Sequence, residues 1–123
     1  MAMTNELGIH IDLKIETLED VANAFLRKEY GLTLEIPIKR NNRLRSTLGA
    51  FVRTYDEKSN KYQPAYIELK GKLLESGRVE DIIDVLKHEC VHYALYTLGR
   101  PYMDGQPDFE HELKRLRIRS NYD

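Results

Sequence analysis

Residues 88–92 read His88-Glu89-Cys90-Val91-His92, inside a stretch whose apolar side chains recur with a helical period. Ile82, Ile83, Leu86, Cys90, Tyr93 and Leu98 form one broad apolar face, which predicts a helix over about 79–98. Gly77 breaks the chain before it, and Gly99 and Pro101 stop it. On a helix, a spacing of four puts the two imidazoles one turn apart on the same face. They can then hold one metal ion together while the rest of the helix packs. Glu89, one residue from His88, is close enough to bind and deprotonate a water on that ion. Zn²⁺, one per chain, is the expected ion, because it lowers the pKa of a bound water toward about 7. Chance gives the H-E-x-x-H pattern about 0.012 times in a chain with this content of His and Glu. A chemical role is therefore favoured over two unrelated histidines.

A hydrolytic zinc centre takes a third protein ligand and keeps a fourth position open. The candidates lie downstream: Asp104, Asp108, Glu110 and His111. Pro107 and Asp108 open a last helix carried by Phe109, Leu113 and Leu116. Asp108 suits that helix's N-terminus. Imidazole chemistry favours His111, whereas geometry favours Asp104 or Glu110. If Phe109 faces the core, His111 is turned about 200° from it and Glu110 about 100°. Asp104 lies in the polar loop Arg100 to Gln106, beside Gly105, which permits an unusual backbone turn.

The remaining chain reads as one helix and then strands. Thr17 before Leu18, Val21, Ala22, Phe25 and Leu26 predicts a capped amphipathic helix, ended by Gly31. Thr33 to Ile38 alternates and predicts a strand, with Pro37 at an edge or end. Leu44 to Tyr55, interrupted by Gly49, predicts a bent or bulged strand. Asp56 to Asn60 is turn chemistry, and Ala65 to Leu69 a short strand. Leu73 and Leu74 fit a short helix or a turn equally. Strands run together and helices are segregated, so the class is α+β.

At 123 residues one domain, 1–123, is expected. No apolar run approaches the roughly 18 residues of a membrane span, and Met1 to Asp12 lacks a signal-peptide pattern. Cys90 is the single cysteine, which excludes an internal disulfide and a Cys-only zinc site and fits a cytoplasmic setting. It is expected to be a small buried residue, and His10 a surface one. Nineteen basic against twenty acidic residues exclude a histone-like chain. The charge is uneven, however: residues 39–61 carry seven basic and two acidic side chains, net +5. Lys39, Arg40, Arg43, Arg45, Arg53, Lys58 and Lys61 fit either a solvated strand edge or a nucleic-acid footprint, and the edge is preferred. Tyr93, Tyr96 and Tyr102 are expected to pack, with an oxyanion contact as the alternative. Arg100 is expected to pair with a carboxylate.

The stretch HECVHYALYTLGRPYMDGQPDFEHEL, residues 88–113, resembles the SprT-like zinc metallopeptidase domain, the class that includes the DNA–protein crosslink protease Spartan. Arg43-Leu44-Arg45 with the Leu48 to Phe51 strand, and Tyr66-Ile67-Glu68-Leu69, extend the resemblance to about 40–118. Members typically carry a third histidine where this chain has Asp104, and Asp is a competent zinc ligand. The family's four-cysteine zinc ribbon is absent. The resemblance implies a compact member of the bacterial or phage type, with a zincin-like fold in which a small antiparallel or mixed sheet lies on the His88–His92 helix. The expected activity is zinc-dependent hydrolysis of peptide bonds, with proteins associated with DNA as one substrate class. His88, His92 and Asp104 are then the metal ligands and Glu89 the general base and acid. The alternative is a zinc-containing module that binds nucleic acid through 39–61 with little or no hydrolysis. A protein or peptide partner, and no membrane, complete the expectation.

Overall fold

The computed structural model describes residues 2–4 and 10–122, with the side chains described from residue 13 onward. The readings of Met1 to Asp12 as lacking a leader and of the His10 side chain as exposed lie outside what is described. The order is β1 (Ala2–Thr4), β2 (His10–Asp12), α1 (Ile15–Tyr30), β3 (Ile38–Asn41), β4 (Gly49–Asp56), β5 (Lys61–Lys70), α2 (Gly71–Ser76), α3 (Val79–Thr97) and α4 (Pro107–Leu116). The class is α+β, as expected. β1 and β2 form an antiparallel pair, which the sequence did not signal. The other three strands form a mixed sheet in the order β3-β5-β4, with β3 parallel and β4 antiparallel to β5.

One core joins the sheet to two helices. Leu18, Ala22 and Leu26 recur every four residues on α1, and Ile82, Leu86 and Cys90 do the same on α3. They meet Ile38, Ile67 and Leu69 of the sheet. Gly49 lets β4 approach α3: a Cβ there would stand 2.9 Å from Val85 Cγ1. A second core, Val91, Leu95, Phe109, Leu113 and Ile118, packs α4 on the far side of α3. Residues 88–95 of α3 are thus buried all round, between sheet and α4. No helix among the described residues is long and apolar enough to cross a membrane.

Several boundaries differ from the sequence reading, each for a physical reason. α1 begins at Ile15 with Lys14 as N-cap, so Thr17 lies inside the first turn. Gly31 does end it in the left-handed region, at φ 68°. Residues 33–37 are not a strand. Leu32, Leu34 and Ile36 do alternate into the core, but the backbone is bonded by helix side chains. Leu34 N–H donates to Asn23 Oδ1 (2.7 Å), Glu35 N–H to the Tyr93 hydroxyl (3.2 Å), and that hydroxyl to Thr33 O (3.1 Å). The strand starts only after Pro37, whose carbonyl accepts from Ile67 N–H. β4 starts at Gly49 rather than Leu44. The bulge expected in 44–55 at Gly49 is not there: β4 pairs regularly from Gly49 to Val52, and the register shift at Val52/Arg53 puts the extra residue, Ala65, on β5. β5 runs well before Ala65, through Pro64. There β4 is its only strand neighbour among the described residues, so the missing N–H is tolerated. Leu73 and Leu74 lie in a short helix.

Candidate metal centre

α3 presents His88 and His92 on one face, with ring centroids 5.1 Å apart. The Phe109 ring of α4 lies against both, stacked on His92 at 4.0 Å and edge-on to His88 at 5.4 Å. Each imidazole meets a backbone carbonyl through Nδ1: His88 that of Arg119 at 2.9 Å, His92 that of Tyr102. A carbonyl only accepts, so Nδ1 carries the proton and Nε2 of a neutral ring presents a bare lone pair. Both Nε2 atoms face Asp104, His88 at 2.9 Å from Oδ1 and His92 at 3.2 Å from Oδ2.

Lone pairs facing a carboxylate at these distances repel unless a proton or a metal ion joins them. The three donor atoms lie within 4.8 Å of one another, and two imidazoles with one carboxylate match the ligand chemistry of Zn²⁺. The residues present therefore fit a metal ion. Burial would push the His88 imidazole down, but Glu89, the Arg119 carbonyl and Asp104 outweigh it and hold it above its ordinary value. Burial, opposed by the Tyr102 carbonyl and Asp104, leaves His92 below its own.

Asp104 reaches the centre from a well-pinned loop. Arg100 N–H donates to Leu95 O (2.8 Å), Met103 N–H to Gln106 Oε1 (2.9 Å) and Gly105 N–H to Glu110 Oε2 (3.0 Å). Gly105 takes φ 85°, a region that side chains avoid, and packs on the Tyr122 ring. Glu110, the near alternative, is thus bonded to the loop backbone and to Ser120 rather than grouped with the histidines. His111 is exposed, while Phe109 and Leu113 are buried. Asp108 stands in the first turn of α4, paired with Arg100 at 3.7 Å.

Glu89 is 7% exposed. Burial raises its carboxyl to about 7, with His88 opposing, Asp104 adding and the Phe51 backbone opposing. Its Oε1 is 4.0 Å from His92 Nε2. Cys90 is fully buried and its thiol is pushed up by that burial, so it is inert packing. Tyr93 and Tyr96 spend their hydroxyls on the carbonyls of Thr33 and Tyr62. A cavity of about 790 Å³ opens onto the cluster, walled by β4 from Gly49 to Phe51, by Tyr102 and by Arg119. Sequence reasoning missed the Arg119 and Tyr102 carbonyls, Asn121, whose amide donates to Asp104 Oδ1 at 3.3 Å, and Phe109 as the platform under both rings. The aromatic at 109 was legible as core; the carbonyls carry no sequence signal, since every residue has one.

In the basic stretch, Arg40 pairs with Glu75. Arg53 lies over the Tyr62, Tyr96 and Tyr102 rings, and Lys39 over Tyr66. Arg43, Arg45, Lys58 and Lys61 are exposed.

A model of the SprT-like family matches residues 15–117. A protein SprT-like of Bacillus cereus is 32% identical over 87 residues, 71% of this chain and 51% of that one. The Geobacillus counterpart is 30% identical over 100 residues, 81% of this chain and 56% of that one. The chain spans about half the length of the curated relatives it matches. Among solved structures, the metallopeptidase zymogen of Methanocaldococcus jannaschii jannalysin superposes with a TM-score of 0.50 at 18% identity, covering 85% of this chain and 80% of that one. That likeness concerns the fold.

Proposed function

The chain belongs to the SprT-like family, and from that membership and the site geometry we propose that it is a zinc-dependent metallopeptidase. The observation that carries the reading is the convergence of two Nε2 lone pairs on Asp104, beside a buried Glu89. His88, His92 and Asp104 hold the ion. When bound, Zn²⁺ supplies Lewis acidity toward a scissile carbonyl and a more acidic water. Glu89 takes a proton from a water in the cavity and later delivers it to the leaving amine. A carboxyl raised toward neutrality suits both transfers. Among the described strands β4 is an edge beside α3, so an extended peptide can pair along its outer side and cross the site.

The test is metal content together with hydrolysis. About one zinc per wild-type chain, lost in His88→Ala, and peptide cleavage abolished in Glu89→Gln with zinc retained, support the reading. A wild type that binds no metal, or a Glu89→Gln variant that cleaves at the wild-type rate, defeats it.

A cytoplasmic location, with proteins on DNA as substrates, belongs to the same proposal. The exposed Arg43, Arg45, Lys58 and Lys61 are placed where a phosphate backbone could reach them, as they also would be on a solvated edge. Neutralising Arg40, Arg43 and Arg45 together should flatten the salt slope of binding by roughly 2–3 log units if all three touch phosphates. Binding unchanged in that variant leaves the stretch a solvated edge, as Arg40 already is where it pairs with Glu75.

A further inference from the structure

The two histidines owe their tautomers to backbone carbonyls, and the carbonyl on His88 comes from a segment with no regular structure. Arg117, in the left-handed region at φ 58° and ψ 42°, turns the chain back after α4. Ile118 N–H then bonds to Leu113 O (2.9 Å), and its side chain is buried in the second core. The next residue is clipped along α3. Arg119 N–H donates to the Asp84 carboxylate at 3.4 Å, and its carbonyl accepts from His88 Nδ1 at 2.9 Å. Its guanidinium meets Asp84 at 3.3 Å and also Asp81. Asp81, Asp84 and His88 are spaced three and four apart and so share one face of α3. Two residues further on, Asn121 donates to Asp104.

The Arg119 side chain is 66% exposed, so its ion pairs add little to global stability. They also fix the side chain of the residue whose carbonyl meets His88. We propose that Arg119 is a positioning residue of the metal centre: anchored on Asp81 and Asp84, it holds residues 118–121 on α3, so that its carbonyl keeps the His88 ring turned with Nδ1 toward the backbone and Nε2 toward Asp104, and Asn121 steers Asp104. The inference rests on the metallopeptidase reading. The orienting partners of metal-bound histidines commonly govern affinity by 10–100-fold, about the size of effect expected here.

The test compares, in the 123-residue chain, wild type, Arg119→Ala, Arg119→Lys and an Asp81→Asn/Asp84→Asn double variant. Zn²⁺ affinity is read by chelator competition, ligand geometry by the visible absorption of Co²⁺, and the fold by the thermal midpoint of the metal-free chain. Expected is a loss of about 10–100-fold in affinity with an altered Co²⁺ spectrum in Arg119→Ala and in the double aspartate variant. Combining them should add little, since both release the same clip. Arg119→Lys should restore most of the affinity, and every midpoint should stay near wild type. Wild-type affinity and spectrum in Arg119→Ala overturn the inference while leaving the metallopeptidase reading intact. A fall in midpoint that matches the loss of affinity also overturns it, making Arg119 a general stabiliser. A wild type without metal affinity overturns both.

Discussion

Glu89 and Glu112 are almost equally shut off from solvent, 7% and 6% exposed, but Glu89 lies deeper among protein atoms and the chain surrounds the two differently. Glu112 receives the Tyr30 hydroxyl at 2.8 Å and Arg115 through two nitrogens at 2.9 and 3.2 Å. Arg115 holds its carboxyl below the usual value, against the effect of burial. The cluster ties α1 to α4. Glu89 has no such cation; its one ion-pair contact among the described residues is His92 at 4.0 Å, and burial dominates. A buried carboxylate with a guanidinium fork is a structural latch. One left among imidazoles and a second carboxylate is under-compensated, which a fold tolerates where an arriving ligand completes the set.

Replacing each glutamate by its amide breaks the comparison most directly. Glu89→Gln should lower peptide hydrolysis by about 10²–10⁴-fold, read as kcat/KM, while leaving the thermal midpoint unchanged or raised. Next in size, Asp104→Ala should weaken zinc by on the order of 10²-fold or more, whereas His111→Ala, exposed and remote from the cluster, should barely change it; chelator competition separates them.

Acid titration of the metal-free chain sharpens the contrast. Glu89 has a folded value of about 7, above its unfolded one, so its contribution is most favourable below about pH 4.5 and declines as pH rises to about 7. The decline is on the order of 3 kcal/mol. Glu112 has the opposite sign: its depressed folded value gives stability that is present above about pH 4.5 and is lost as pH falls through that lower value. Denaturant unfolding at stepped pH should show Glu89→Gln removing the decline toward neutrality and Glu112→Gln flattening the acid limb. Smallest is Glu112→Gln near neutral pH. It should cost about 1–2 kcal/mol, because Arg115 is 43% exposed and re-solvates. Zinc affinity should not move in that variant.

What could be read beforehand follows the same division between side chains and backbone. α3 and α4 were legible because their apolar spacing, the stop at Gly99 and the opening at Pro107 are written in side chains. The nearness of His88, His92 and Glu89 to one another was legible by spacing, and the grouping of Asp104 with the histidines by its loop together with the family resemblance. The alternation at 33–37 was real but misleading, since a strand also needs a backbone neighbour, and Asn23 and Tyr93 take that place. β3 was hidden because Lys39 and Arg40 are polar positions on an edge. The Arg119 carbonyl could not be seen at all: its partner is 31 residues away in sequence.

The division of the apolar interior into two clusters has a dynamic consequence. The smaller one is the only described core that holds α4 and Ile118 against α3. Such a unit can detach in a local opening while α1, α3 and the sheet stay folded. His88 and His92 stand on the part that stays, whereas Asp104 and the Arg119 carbonyl sit on the segments before and after the part that leaves. An ion binding both would act as a rivet between two cooperative units, and its binding free energy would suppress that opening.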